Sequence, residues 1–160
     1  MELKEVENIL EYPSDWKRFR LQDAVSYIDY GLSKAIPKIQ PENGVKIVST
    51  ADITKTGKLT YDKLRKTEAN ERQINNLTLK DGDVLFNWRN SPELIGKTTI
   101  FHSINEAVIF ASFILRIRCD EKSTHNYFLK HLLNYFRYEG LFIQLSRRAV
   151  NQANYNRNEI

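Results

Sequence analysis

The chain has 160 residues, of which 41% are hydrophobic, 28% charged and 11% aromatic. A chain of this length buries roughly two thirds of its unfolded surface, so it can form a core without metal or disulfide support. The single cysteine cannot form an internal disulfide, and the three histidines lack the paired cysteines of a zinc finger. No apolar run is long enough to span a membrane, and the first residues do not have the pattern of a signal peptide, so neither secretion nor a membrane span is expected. We predict one compact domain in a reducing, cytoplasmic environment.

Positive charge is concentrated in the later part of the chain. The formal net charge is +4, yet residues 1–31 carry four basic and seven acidic side chains, so the excess of basic residues lies in 32–160. Such an excess suits a polyanionic partner, although an ordinary solvated basic surface is the alternative. The densest group of cations is Lys55, Lys58, Lys63, Arg65, Lys66 and Arg72.

The first third of the chain carries few signals of regular structure. Apolar residues at helical spacing ahead of Pro13 predict an amphipathic helix within residues 1–12. The segment 19–30 is mixed and gives no clear element, and the glycines and prolines of residues 31–44 predict a loop. Residues 45–48 form a predicted strand, followed by a long, exposed polar segment at 49–76 with a turn at 55–58.

Strand patterns dominate from residue 81 and helical patterns follow them. A turn at 81–83 leads into the apolar strand 84–88, which ends at Pro92, and further strands are predicted at 98–101, 107–111 and 113–118. Apolar residues then lie on one helical face over 126–139, before Gly140, and a second short helix covers 141–145. An amide-rich tail closes the chain. These elements indicate the α+β class.

The sequence lacks the residues that several kinds of catalytic or cofactor site require. Gly96-Lys97-Thr98 resembles the end of a phosphate-binding loop, but Ser91 stands where that loop needs a glycine. The six glycines are at least thirteen positions apart, which excludes a Gly-x-Gly cofactor site. Asp81 and Asp83 flank a glycine, where bonding to their own backbone is the favoured interpretation over metal or acid-base work. We expect no cofactor, no metal and no catalytic residue, although a triad of distant residues stays open.

The remaining polar and aromatic side chains suit recognition of a nucleic acid. Asn87, Trp88, Arg89 and Asn90 end a predicted strand with groups that suit base edges, because Arg pairs with guanine and Asn with adenine. We predict that these four residues read bases or line a groove. Phosphate contacts are predicted for Lys55, Lys58 and Arg72, with Arg147 and Arg148 as further candidates. The alternatives are that Trp88 is a core residue and that the cations are solvated.

The order of short motifs across residues 13–160 resembles a known family. Pro13-Ser14-Asp15-Trp16 is similar to the family's opening Pro-x-x-Trp, and residues 79–85, Leu-Lys-Asp-Gly-Asp-Val-Leu, to its Leu-x-x-Gly-Asp-Ile-Leu. Ile95-Gly96-Lys97 matches its Ile-Gly-Lys. The Tyr127 helix and the amide-rich tail follow in the family's order. The chain thus resembles a target recognition domain of the DNA specificity (S) subunit of type I restriction-modification systems.

The resemblance implies a fold, a function and partners. The fold would be a single compact α+β target recognition domain with a twisted multi-stranded sheet and a few packed helices. Such a domain is not an enzyme. It reads one half of a bipartite target in double-stranded DNA for modification (methyltransferase) and restriction subunits. Since complete subunits hold two such domains, this chain would self-associate or work with a second recognition domain. Gly82, Asp83 and Gly96 are assigned to the scaffold.

Two other functions remain open. One is a non-catalytic fragment of a site-specific nuclease or methyltransferase. An active fragment would need a carboxylate cluster with bound Mg²⁺ or a methyl-donor pocket, which a metal or methyl-donor soak would reveal. The other is a protein-interaction module that uses the apolar face of residues 126–145, and its binding would respond little to salt. Packing of that face on the predicted sheet would argue against this second alternative.

Overall fold

The structure is a computed structural model that describes residues 14–15, 20–120, 122–145, 147–149 and 152–154. The helix predicted within residues 1–12 lies outside these residues. The described strands are β1 (Val25–Tyr30), β2 (Val45–Val48), β3 (Arg65–Thr67), β4 (Val84–Asn87), β5 (Arg89–Asn90), β6 (Thr98–Ile100), β7 (Val108–Phe110), β8 (Ile114–Cys119), β9 (Arg147–Ala149) and β10 (Gln152–Asn154). The described α-helices are α1 (Glu71–Leu77), α2 (Asn126–Tyr138) and α3 (Leu141–Leu145), and Leu21–Asp23 forms a 3-10 turn.

A four-stranded antiparallel sheet, in the order β1-β8-β4-β6, lies at the centre of the fold. Successive side chains of a strand point to opposite faces of the sheet. All four residues of the inner strand β4 are buried, so β4 is covered on both faces. Val84 and Phe86 pack in one apolar cluster with Leu129 and Leu133 of α2. Leu85 packs in a second cluster on the opposite face. The sheet therefore separates two apolar layers.

The second layer is formed largely by a three-stranded sheet in the order β3-β2-β7, in which β2 and β7 are parallel. Val48 and Phe110, at the ends of these two strands, pack with Leu85 of β4. A third sheet, in the order β5-β10-β9, joins the extension of β4 to the hairpin near the end of the chain. This arrangement confirms the predicted α+β class.

The strongly patterned elements agree with the sequence prediction. Strands are observed at all five predicted sites between residues 45 and 118, and the helices predicted at 126–139 and 141–145 both form. The apolar face of α2 packs on the sheet through Leu129 and Leu133, which are 2% and 4% exposed. Among the described residues, no helix is long and apolar enough to cross a membrane.

Three segments differ from the prediction. The mixed segment 19–30 contains a six-residue strand, β1, which pairs along β8. The segment 49–76 is not uniformly exposed, since Ile53 and Leu64 are core residues and β3 and α1 lie within it. The amide-rich tail contains the β9–β10 pair.

A buried ion pair explains why β1 was missed. The Arg116 side chain in β8 is 2% exposed, and its Nε and Nη2 donate to the two carboxylate oxygens of Asp29 in β1 at 3.0 and 2.6 Å. The guanidinium also donates to the carbonyl oxygens of Asn76 and Thr78. Inside the fold the charge of Arg116 is therefore neutralised by Asp29, and four of its five N–H groups donate hydrogen bonds.

Candidate nucleic-acid interface

The segment 87–90 leaves the central sheet and enters the third one. Asn87 is completely buried, and its Nδ2 donates to the carbonyl oxygen of Leu94 at 3.1 Å. Its backbone N–H and C=O pair with Lys97 and Gly96, both at 2.9 Å. Asn87 therefore shapes the loop 91–96 from inside. The prediction that its amide reads a base is corrected, because a fully buried side chain does not reach a groove.

Trp88 is half-buried and held in place by its polar atoms. The indole Nε1 donates to the carbonyl oxygen of Ser112 at 2.6 Å. The backbone N–H of Trp88 donates to the carbonyl oxygen of Phe113 at 3.2 Å. The ring meets the rings of Tyr30 and Phe113 edge to face, with centroids 5.4 and 6.2 Å apart. These contacts favour the structural interpretation of Trp88, which anchors the start of β5.

Arg89 and Asn90 follow on the partly exposed strand β5. Their backbones pair with Asn154 and Ala153 of β10. The guanidinium carbon of Arg89 lies 4.9 Å from the centroid of the Phe113 ring. The Oδ1 atom of Asn90 accepts a hydrogen bond from the backbone N–H of Ser91 at 2.9 Å. The two side chains thus reach the surface from a strand whose backbone is paired.

Lys55 and Lys58 are exposed on a tight turn. The N–H of Thr54 donates to the carbonyl oxygen of Lys58 at 2.8 Å, and the N–H of Lys58 donates to Thr54 Oγ1 at 2.9 Å. Gly57 has a φ of +73°, which a residue with a side chain rarely adopts. The turn is therefore well defined although both lysines point into solvent.

Two cationic side chains donate hydrogen bonds to the backbone of this turn and of the segment before it. Arg137, at the end of α2, donates to the carbonyl oxygens of Lys55 and Glu93 at 3.1 and 3.0 Å. Lys97 is 5% exposed and its Nζ donates to the carbonyl oxygens of Thr50 and Ile53, both at 2.6 Å. Burial, together with the positive charges of Arg137 and Lys55, lowers the pKa of Lys97. Arg137 carries no local signal of this role, because its acceptors lie on segments distant in the sequence.

The strand register brings these parts to one end of the central sheet. Asn87 pairs with Ile114, and Phe86 pairs with Thr98, so β4 ends where β6 and β8 begin. A Cβ added to Gly57 would lie 2.5 Å from the carbonyl oxygen of Thr98, which places the lysine turn beside the same edge. Arg89, the loop 91–96 and the 54–58 turn therefore share one end of the molecule.

Arg72 and the two later arginines lie on other elements. Arg72 is exposed in the first turn of α1, a helix that begins with a capping box formed by Asn70 and Gln73. Arg147 and Arg148 lie on β9, in the same three-stranded sheet as Arg89.

No family model matches the chain. The chain is 29% identical over 155 residues to a protein of Methanocaldococcus jannaschii described as "Putative type I restriction enzyme MjaX specificity subunit", and the match covers 94% of this chain. The resemblance to type I specificity subunits is confirmed.

Solved structures of type I systems share the fold. One comes from work on complex assembly and conformational transition of the type I R-M system, and it matches 85% of this chain with a TM-score of 0.56 and 18% identity. The HsdS subunit from Thermoanaerobacter tengcongensis matches 82% with a TM-score of 0.51 and 18% identity. The chain spans only 35%, 33% and 30% of the lengths of these three relatives.

The motif at residues 79–85, which is similar to that of specificity subunits, lies in the scaffold. Asp83 is 1% exposed, accepts the backbone N–H of Lys80 at 2.9 Å and receives two hydrogen bonds from Arg118 of β8, both at 2.7 Å. Asp81 accepts the backbone N–H of Ser103. Asp83 therefore bonds the backbone of its own turn as expected, and it also pairs with Arg118, whereas Asp81 bonds the backbone of a distant loop and not that of its own turn. No group of three or more His, Cys, Asp or Glu side chains that could hold a metal ion occurs in the described ranges.

Proposed function

We propose that this chain is a sequence-specific DNA-binding domain of a type I restriction-modification system. It reads one half of a bipartite target for a methyltransferase and restriction complex and has no catalytic step of its own. The observation that carries the proposal is the match of 94% of the chain to one specificity subunit. The end of the sheet that presents Arg89 and the lysine turn supplies chemistry suited to this task.

Base contacts are assigned to Arg89 and Asn90. An arginine pairs with guanine O6 and N7, and an asparagine pairs with adenine, in the major groove of DNA. Both residues are carried by a strand with a paired backbone, which limits the entropy lost when they order on DNA. Trp88 supports this strand, and Asn87 shapes the adjoining loop.

Phosphate contacts are assigned to Lys55 and Lys58, with Arg72 as a contact from α1. Cations on a fixed turn set the register of a protein on the duplex without reading its sequence. Because each phosphate contact releases condensed counterions, binding should weaken steeply as salt increases.

The partners follow from the same proposal. Double-stranded DNA, the modification subunits and the restriction subunits are the expected ligands, without a cofactor and in the cytoplasm. Since the chain spans about a third of its relatives, a complete bipartite target would require self-association or a second recognition domain. The rival role as an interaction module through the apolar face of residues 126–145 is not favoured, because Leu129, Leu133 and Phe142 pack inside the fold.

The test is binding of the purified 160-residue chain to a pool of randomised duplexes across a salt series, followed by sequencing of the bound fraction. We expect an enriched site of a few base pairs. Arg89→Ala should relax the preference at one position, by about tenfold to a hundredfold. Lys58→Ala should weaken all duplexes alike and reduce the salt slope by about one.

A matched control removes the same charge at the other end of the sheet. Lys122 is exposed and precedes α2, whose Asn126 contacts Gly82 at the start of β4. Lys122→Ala should change affinity less than Lys58→Ala. Salt-sensitive binding without any enriched sequence would contradict sequence reading by this chain, and absence of binding at low salt would contradict DNA recognition altogether.

A further inference from the structure

Phe113 is a large aromatic residue that the fold leaves at the surface. Its side chain is 42% exposed, although it stands between two buried strands, β7 and β8. The ring is not part of either apolar cluster. Instead it meets the Trp88 ring edge to face and lies under the guanidinium of Arg89.

The turn that carries Phe113 is rigidly held. The N–H of Ile114 donates to the carbonyl oxygen of Ala111 at 3.0 Å, and the N–H of Ser112 donates to that of Leu32 at 3.1 Å. Trp88 then binds the carbonyl oxygens of both Ser112 and Phe113. The backbone of Phe113 is therefore fixed at the strand junction that leads to Arg89, and its ring rests against the Trp88 ring.

Contact with the Phe113 ring restricts the conformations of the Arg89 side chain. Arginine has a long side chain with considerable rotamer entropy, but its planar guanidinium stacks on aromatic faces. Such stacking defines the plane of the fork, and bidentate pairing with a base requires that plane to be set. A site whose groups are held in place before binding discriminates better than one that must order on its target.

We propose that Phe113 is a positioning residue for sequence recognition, which orients the Arg89 guanidinium toward one base pair of the target. This inference rests on the proposed function and assigns to Phe113 a role in specificity without direct contact to the base. Phe113 acts through Arg89, so removing its ring should matter only while Arg89 is present.

The test uses the full chain and two substitutions of Phe113. Phe113→Leu keeps an apolar side chain but removes the aromatic face, and Phe113→Tyr keeps the face. With the duplex site enriched by the wild-type chain, Phe113→Leu should reduce discrimination about two- to fivefold, as expected for loss of one exposed cation–π contact. The loss should occur at the base pair that Arg89→Ala relaxes, and Phe113→Tyr should retain the preference.

A double mutant separates this role from general packing. In the Arg89→Ala background, Phe113→Leu should cause no further loss of discrimination, and the salt slope of every Phe113 variant should match the wild type. Thermal unfolding of each variant reports any damage to the fold.

Three results would overturn the inference. Discrimination unchanged by Phe113→Leu, an equal loss in the Arg89→Ala background, or a loss at unrelated base pairs would each do so while leaving DNA recognition intact. Failure of the wild-type chain to enrich any sequence would instead overturn the proposed function, and this role of Phe113 with it.

Discussion

Arg137 donates a hydrogen bond to the carbonyl oxygen of Lys55 at 3.1 Å, across 82 positions of sequence. Its second nitrogen binds the carbonyl oxygen of Glu93. One helical side chain therefore supports both the lysine turn and the loop that follows β5. The part of the molecule proposed to contact DNA is built on this support and on the buried Lys97.

Arg137→Ala should loosen that support. Loss of two hydrogen bonds from a charged donor should lower the free energy of unfolding by about 1–3 kcal/mol. Urea denaturation followed by circular dichroism measures the change. Arg72→Ala removes an exposed arginine from the start of α1 and should change stability by less than about 0.5 kcal/mol. Equal effects of the two substitutions would contradict the supporting role of Arg137.

Alanine substitutions at Gly57 and Gly140 separate the cost of backbone strain from the cost of a steric clash. Both have positive φ, +73° and +74°, so alanine is strained by about 1 kcal/mol at either position. An added Cβ at Gly57 would lie 2.5 Å from the carbonyl oxygen of Thr98, whereas at Gly140 it would meet no atom within 4 Å. Gly57→Ala should therefore destabilise the chain more than Gly140→Ala, by about 1 kcal/mol or more. Similar midpoints in urea would show that the turn moves away from Thr98 without cost.

Breaking the Asp29–Arg116 pair should cost far more stability than breaking an exposed pair. Asp29→Ala would leave the guanidinium of Arg116 buried without its counter-charge, and we expect a loss of about 3 kcal/mol. Glu68→Ala breaks the exposed pair with Lys34, where both side chains are about half exposed or more, and should cost less than about 0.5 kcal/mol. Chemical denaturation of the two variants beside the wild type provides the comparison. A small effect of Asp29→Ala would mean that water reaches Arg116.

Cys119 should be unreactive in the folded chain. Burial, with a smaller effect of the Asp83 charge, raises the pKa of its thiol to about 11. The thiolate is the reactive form, so reaction with a disulfide reagent near pH 8 should be slow and should accelerate in urea. Rapid reaction of the folded chain at that pH would contradict the raised pKa.

The same pKa shift has a consequence for stability. A thiol that stays neutral in the folded state but ionises in the unfolded chain contributes stability below the ordinary thiol pKa near 9, and this contribution falls between pH 9 and 11. Cys119→Ala should therefore lose less stability than the wild type over that range. Parallel curves of stability against pH for the two proteins would be the opposite result.

The core elements of the fold could be predicted because their signals are local. The apolar run of β4, the strand pattern of β8 and the helical face of α2 depend only on neighbouring residues. The strand β1 could not be predicted in this way. It pairs with a strand about 90 positions away, and its cross-strand contacts include the ion pair of Asp29 with Arg116, which is 87 positions away.

The residue types proposed for DNA contact come from the sequence, whereas their arrangement comes from the tertiary structure. Arg89 and Asn90 reach the surface, and Lys55 and Lys58 are exposed, as a DNA-contact role requires. Asn87 has the same chemistry as Asn90, yet it is buried because the loop 91–96 closes over it. No local signal marks Phe113 or Arg137, because the side chains or backbone groups that they contact are distant in the sequence.

The sequence alone determined the basic charge and the α+β class, because composition and local periodicity are properties of neighbouring residues. The order of its short motifs added the resemblance to a type I specificity subunit. Only the tertiary structure decided which polar residues are scaffold and which face solvent. The physical reason is that a polar group can be buried only where distant segments supply its hydrogen-bond or charge partners. Arg116 and Lys97 have such partners inside the fold, whereas Lys55 and Lys58 remain at the surface.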